Sequence, residues 1–240
     1  MSVIVVTGTD AGVGKTVVCA ALAALARGRG ASVAVVKPAQ TGVPAGERGD
    51  LDEIIRLSGV ATTFEIARFE SPLSPAAAAR AARVAPVSMP QTARRIRELA
   101  ESNRLVIVEG TGGLLVRFDE DGATVADLAR LLGAQVLVVA GSGPGTLNHA
   151  ALTLEALANR GLDLAGVVIG AWPDKPGAAE RSDVGDLEML AARPLAGVLP
   201  AGAAGLSADE FAAVARRGLA VTLGGSFDPA RFRETFTLAP

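Results

Sequence analysis

The densest chemistry in the chain lies in Gly8-Thr9-Asp10-Ala11-Gly12-Val13-Gly14-Lys15-Thr16. A glycine-rich stretch lets the backbone turn and aim successive N–H groups at one anion. A helix starting near Lys15 adds the positive end of its dipole. In such a loop Lys15 neutralises β- and γ-phosphates and the Thr16 hydroxyl ligates Mg²⁺. Gly12, Val13, Gly14 and Val17 complete the cradle. The strict pattern asks for its first glycine at position 9, where this chain has Thr, and Gly8 comes one residue early. The expected ligand is Mg²⁺ with ATP or another nucleoside triphosphate; the alternative is a Gly-rich turn that binds nothing.

Other residues could complete a site. Glu109 closes the apolar run 105–108 and precedes Gly110-Thr111-Gly112-Gly113. A carboxylate at the carboxyl end of a buried strand faces the crevice where ligands bind and can hold Mg²⁺; alternatively it caps the Gly-rich turn. Lys37 ends the second apolar run, before Pro38-Ala39-Gln40-Thr41-Gly42. An unpaired buried ammonium is costly, so Lys37 either contacts a second anion or snorkels to water. Asp50 and Asp52 flank the start of a helical stretch over 51–57, and either could cap it or bind metal. Pro144-Gly145 before Thr146-Leu147-Asn148 leaves N–H groups at a helix start, which suits a carboxylate, although such a feature is usually only a turn.

The elements that must position these groups follow from hydrophobic periodicity. Residues 3–7, 32–37, 105–109, 136–140, 166–170 and 195–199 are short, Val-rich and apolar on both faces, as parallel strands between helical layers are. Between them lie helices: 16–27, rich in Ala and Leu; 89–101, with Ser88 and Gln91 at capping-box spacing; and a stripe of Leu147, Ala150, Ala151, Leu154, Leu157 and Ala158. Residues 76–85 form a plain Ala/Arg helix, and 42–49 and 172–179 are loops rich in Gly and Pro. This alternation predicts an α/β fold, a doubly wound, mostly parallel sheet with helices on both faces. Residues 1–240 are expected to form one domain, and the tail from 228 is either a short helix or loose chain.

With 50% hydrophobic and 20% charged residues in 240, the chain is globular rather than disordered. Aromatics at 3% and no Tyr mean a core of Ala, Val, Leu and Ile. A net charge of −2 gives no electrostatic case for nucleic acid as a partner. One Cys suits a reducing compartment, and Val3-Ile4-Val5-Val6 follows the start without a basic region, so no signal peptide is expected. No long uninterrupted apolar stretch predicts a membrane span. A cytoplasmic enzyme follows.

Four segments in this order are specific. Thr7-Gly8-Thr9-Asp10 through Gly14-Lys15-Thr16, Lys37-Pro38 with Thr41-Gly42, Val108 through Gly113, and Gly145-Thr146-Leu147-Asn148-His149 resemble the dethiobiotin synthetases, which close a ureido ring on 7,8-diaminopelargonic acid in biotin synthesis. The resemblance covers most of the chain and implies a P-loop NTPase-like three-layer architecture. It implies Thr16, Asp50 and Glu109 as Mg²⁺ ligands, which favours Asp50 over Asp52. It also implies Lys15 and Lys37 against the γ-phosphate and a carbamate, and Thr41 near the reacting amines, with Gly112 beside them. By the same resemblance the turn Pro144-Gly145-Thr146-Leu147-Asn148 holds the substrate's carboxylate tail across a homodimer interface. The implied reaction joins CO₂ to one amine, phosphorylates the carbamate and lets the second amine close the ring. Many family members read adenine with an Asn after the fifth strand; here Gly170, Ala171 and Trp172 stand there. Base contacts are then left to backbone groups of these residues and of Pro200, Ala201 and Gly202.

Single residues carry alternatives. Cys19 is a small core residue. His149 orients the substrate loop or makes a structural hydrogen bond. Trp172 stacks on a base or covers the sheet edge. Asp10 touches a substrate amine or shapes its loop. The Arg residues between 80 and 97 form a solvated face. The main rival is a ParA/MinD-like switch ATPase acting on DNA or membrane. Those proteins carry an additional Lys early in the loop, where this chain has Asp10, and the chain ends without a basic amphipathic helix. A cobyrinate-type amidase would need a nucleophilic Cys, which Cys19 cannot supply from inside a helix. A non-catalytic nucleotide-binding module would not need Lys15, Thr16, Lys37 and Glu109 together.

Overall fold

Strands that are apolar on both sides are stable only when both faces are covered, and the chain folds accordingly. The computed structural model describes residues 2–236. In chain order its elements are β1 (Ser2–Gly8), α1 (Lys15–Gly28), β2 (Val33–Lys37), β3 (Gln40–Thr41), α2 (Asp50–Ser58), β4 (Thr62–Glu65), β5 (Arg68–Phe69), α3 (Pro75–Ala82) and α4 (Met89–Ser102). There follow β6 (Leu105–Gly113), α5 (Val125–Leu132), β7 (Gln135–Ala140), α6 (Thr146–Asn159), β8 (Leu164–Trp172), α7 (Ala178–Ala191), β9 (Gly197–Pro200), α8 (Ala208–Gly218) and α9 (Pro229–Phe236).

Seven strands form one sheet in the order β4-β2-β6-β1-β7-β8-β9, and every pairing in it is parallel. Successive residues enter opposite layers. Val5, Val106, Val108, Val136 and Val138 pack with α3 to α7, whereas Val6, Ile107, Leu137 and Val139 pack with α1, α2 and α8. The expected doubly wound, three-layer sheet is therefore present. From β1 the chain crosses to β2 on one side, and from β6 it passes to β7 on the other, so the topology reverses at β1. The carboxyl ends of β1, β2 and β6 open onto that crevice, the place where such sheets bind ligands.

Several boundaries differ from the sequence reading. The last strand is β9, Gly197–Pro200, and Leu195 and Ala196 only lead into it. Strand β6 runs on through the Gly-rich segment to Gly113, because Gly113 pairs with Gly8 beyond an irregularity in β1. Trp172 ends β8 rather than opening a loop. On α6 the buried positions are Thr146, Ala150, Thr153 and Leu157, which leaves Leu147 and Leu154 half-buried and Ala158 exposed. The tail folds as α9; residues 237–240 lie outside the described residues. Among the described residues no helix is long and apolar enough to cross a membrane.

Candidate active site

The loop between β1 and α1 is held by tight backbone approach. Gly12 and Gly14 have φ of 71° and 96°, which side chains disfavour, and Gly14 is an N-cap without a side-chain cap, so the α1 N–H groups face the crevice. The loop rests on β8: a Cβ at Gly170 would stand 2.0 Å from the Val13 carbonyl oxygen. Gly170 thus serves as the loop's floor. A Cβ at Gly8 would meet the Asp10 carbonyl at 2.5 Å, so the glycine one residue early is where the loop folds back over its own strand. The Lys15 ammonium donates to the Asp10 carbonyl at 2.9 Å, which arches it across the loop. Burial, and then the charge of Lys37, hold the pKa of Lys15 below the ordinary lysine value.

One cavity of about 380 Å³ gathers residues widely separated in sequence: Lys15, Thr16, Lys37, Thr41, Asp50 and Glu109 among them. Gly12, Gly14, Val17 and Gly112 also line it. At its base Lys37, only 2% exposed, donates to Glu109 Oε1 at 2.9 Å and pairs with Asp50 Oδ2 at 2.5 Å. Burial alone would lower the pKa of Lys37. The two carboxylates outweigh it, Glu109 foremost, and raise the pKa well above the ordinary value, so Nζ keeps its charge. Thr16 Oγ1 donates to the same Glu109 oxygen at 2.9 Å. Glu109 is fully buried, and that burial pushes its carboxyl pKa up against the pull of Lys37.

The two aspartates differ in where their side chains lie. Asp52 accepts from the Gly49 N–H at 2.8 Å and is the capping residue of α2. Asp50, two positions earlier, faces Lys37. Gln40, which the sequence reading passed over, holds it there: buried Gln40 Oε1 accepts from the Asp50 N–H at 2.9 Å. Thr111 was passed over too; its hydroxyl donates to the Ala39 carbonyl at 2.5 Å and ties β6 to the loop carrying Thr41.

Glu109 Oε2 is buried with no hydrogen-bond partner among the described residues. Leaving such an oxygen orphaned is expensive, and a hard cation is the group that would use it. Among the described residues no group of three or more His, Cys, Asp or Glu forms a cage. Two carboxylates and a hydroxyl suit Mg²⁺ better than such a cage, because Mg²⁺ keeps positions for phosphate oxygens and water. The donors present therefore fit that ion.

A second cleft, of about 360 Å³, adjoins the first and is lined by Thr9, Asp10, Gly113, His149 and Leu152. Asp10 Oδ2 lies 3.9 Å from His149 Nδ1 at its mouth. Asp10 also accepts from the Ala11 N–H at 2.7 Å. Residues 144–148 open α6 on Gly145, whose φ of 86° and lack of a side-chain cap leave a helix start for an anion. The Thr146 N–H is turned to the Gly143 carbonyl at 3.1 Å, so Leu147 and Asn148 carry the remaining first-turn donors. The Trp172 ring is buried against Phe232 and Phe236, with centroids 5.3 Å away in each case, so it does not face the crevice and is not available to stack on a base. Only its backbone remains for that role. Cys19 is buried in α1, and its thiol pKa is raised by desolvation.

The AAA domain family matches residues 2–204. The chain is 57% identical over 238 residues to the ATP-dependent dethiobiotin synthetase of Parafrankia sp. (strain EAN1pec), covering 99% of this chain and 100% of that protein. It is 58% identical over 236 residues to the enzyme of the same name from Frankia casuarinae, covering 98% and 99%. The chain belongs to the dethiobiotin synthetase family. Among solved structures it resembles a ParA family ATPase from Chlorobium tepidum TLS, with a TM-score of 0.56, 15% identity and coverage of 89% and 91%. It also resembles the septum site-determining protein MinD from Pyrococcus horikoshii OT3, with a TM-score of 0.56, 16% identity and coverage of 93% and 94%. At that identity these two show a shared fold and nothing of function. The family, not the fold, separates a synthetase from the switch ATPases.

Proposed function

We propose that the chain is an ATP-dependent dethiobiotin synthetase, a cyclo-ligase that forms C–N bonds from 7,8-diaminopelargonic acid and CO₂. The observation that carries this reading, beside near full-length identity with that family, is the buried Lys37 between Asp50 and Glu109 at the mouth of a phosphate loop. A carbamate is an anion and a weak nucleophile, so bringing it to a triphosphate requires fixed positive charge in a site of low dielectric. Lys37 supplies it at Nζ, and Lys15 supplies it against the β- and γ-phosphates.

The first step joins CO₂ to one amine and releases a proton, giving the carbamate. A carbamate oxygen then displaces the nucleoside diphosphate at the γ-phosphorus, leaving a carbamic–phosphoric anhydride. The second amine attacks its carbonyl carbon and expels phosphate, which closes the ring. Thr41 hydrogen-bonds beside the amines, and Asp10 and Gly112 border them. Thr16, Asp50 and Glu109 would hold Mg²⁺, which when bound neutralises the phosphoryl oxygens. Holding both amines beside one carbonyl makes the last step intramolecular in effect. Backbone groups of Gly170, Ala171, Trp172, Pro200, Ala201 and Gly202 contact the base.

The residues from Pro144 to Asn148 would take the carboxylate tail, completed by a second copy of the chain. Leu115 and Leu152 support that homodimer, being 44% and 58% exposed beside the cleft that a partner would cover. We assign the enzyme to the cytoplasm, which the single reduced Cys19 favours. The test is phosphate release with Mg·ATP and bicarbonate, with and without the diamine, repeated with CTP and GTP and checked by product mass. Diamine-dependent release yielding dethiobiotin is the expected result. Release indifferent to the diamine, or stimulated by DNA or lipid, would sink the reading and favour a switch ATPase.

A further inference from the structure

We propose that the C-terminal helix α9 is the strut that sets nucleotide-base selectivity in this chain, by fixing the backbone at the end of β8, one of the two segments that read the base. The inference rests on the nucleotide site proposed above. Strand β8 loses its regular pairing where the base would lie: Ile169 pairs with Val198 but Trp172 with Pro200, so one extra residue bulges out at Gly170–Ala171. Past the bulge Trp172 rejoins the ladder at Pro200, which leaves Gly170 and Ala171 outside it. Contacts from outside the ladder hold this end: the Ser142 hydroxyl donates to the Ala171 carbonyl at 2.9 Å, and α9 packs on Trp172. Phe232 and Phe236 meet the Trp172 ring edge-on at 5.3 Å each. Arg233 binds Glu188 Oε2 at 2.5 Å, and the other oxygen of Glu188 accepts from the Leu195 N–H at 3.0 Å, on the stretch leading into β9.

Helix α9 therefore grips the end of β8 directly, through Trp172, whereas its Arg233–Glu188 link reaches Leu195, before the opposite end of β9. The two segments are joined where the Ala201 N–H donates to the Trp172 carbonyl at 2.7 Å. Backbone groups discriminate between bases only when their positions are fixed, because they carry no side-chain pattern of their own. None of the α9 residues is fully buried, and Phe232 and Phe236 pack on the core through Trp172.

The experiment compares wild type with Phe232→Ala and with Phe232→Leu, which keeps apolar bulk. Mg·ATP, Mg·CTP and Mg·GTP are titrated calorimetrically, and KM is measured for nucleotide and diamine. Losing the Phe232 ring, which packs on Phe227 and Phe236 as well as on Trp172, should weaken binding of the preferred nucleotide roughly three- to tenfold. The preference among the three bases should flatten, the diamine KM should hold, and Phe232→Leu should recover part of the loss. Equal weakening for all three nucleotides, or a joint decline of every kinetic constant with melting temperature, would overturn the proposal. So would unchanged titrations. Wild type that lacks diamine-dependent turnover would defeat the synthetase reading instead, while the titrations still judge the strut.

Discussion

Replacing Lys37 by Met removes the ammonium that the structure places 2.9 Å from Glu109, where both side chains are buried. A buried ion left without its partner destabilises a protein by about 3–5 kcal/mol. Lys37→Met should therefore lower the unfolding free energy by about that much. Glu109→Gln should lower it by only about 1 kcal/mol, because Lys37 keeps Asp50 and the amide still accepts from Thr16. In Lys37→Met/Glu109→Gln no buried charge is stranded, and Asp50 is 35% exposed and can hydrate. The double variant should recover about 2–4 kcal/mol relative to the sum of the two single changes. The assay is urea unfolding of all four proteins at several pH values. Without Lys37, burial raises the Glu109 pKa in the folded state above its unfolded value. The folded protein then binds more protons, so its stability falls as pH rises through that interval. The deficit of Lys37→Met should be smallest in acid and widen as pH increases, while the double variant shows no such widening. Additive effects, or a deficit independent of pH, would refute the buried Lys37–Glu109 pair.

Three further outcomes follow from the same geometry. Gly170→Ala forces a Cβ to 2.0 Å from the Val13 carbonyl and 2.7 Å from Val139, so unfolding should cost about 1–3 kcal/mol less and nucleotide titration should weaken roughly tenfold or more. Gln40→Leu strips the acceptor from the Asp50 N–H, and the Mg²⁺ concentration for half-maximal phosphate release should rise roughly fivefold while the diamine KM stays put. Cys19, buried and with a raised thiol pKa, should resist a colourimetric disulfide reagent in the native protein and react fully in urea.

Local patterns disclosed much of this molecule. The strand preceding the glycines, the Lys-Thr pair and the helix after them are contiguous, so their geometry is fixed within a few residues of chain. The runs ending in Lys37 and Glu109 were legible because apolar residues on both faces leave few alternatives to a central parallel strand. Strand β4 was not legible: Thr62-Thr63-Phe64-Glu65 is a short, half-buried edge without the Val-rich signature. Helix α9 was ambiguous because its phenylalanines find their partner at Trp172, a residue remote in sequence.

The sequence by itself determined the fold class, the phosphate loop, the family and the set of residues able to do the chemistry. Each of these depends on residue type and on spacing along the chain. Tertiary structure alone decided which of those residues meet. Asp50 and Asp52 are equivalent in the sequence, yet one faces Lys37 and the other caps its own helix, because helical rotation separates neighbours two positions apart. Gln40 became part of the site only when the chain returned Asp50, ten positions on, to it. Trp172 lost the role of a stacking ring because α9 covers it. The common reason is that burial and charge pairing are properties of space, set by elements far apart in the chain that pack against one another.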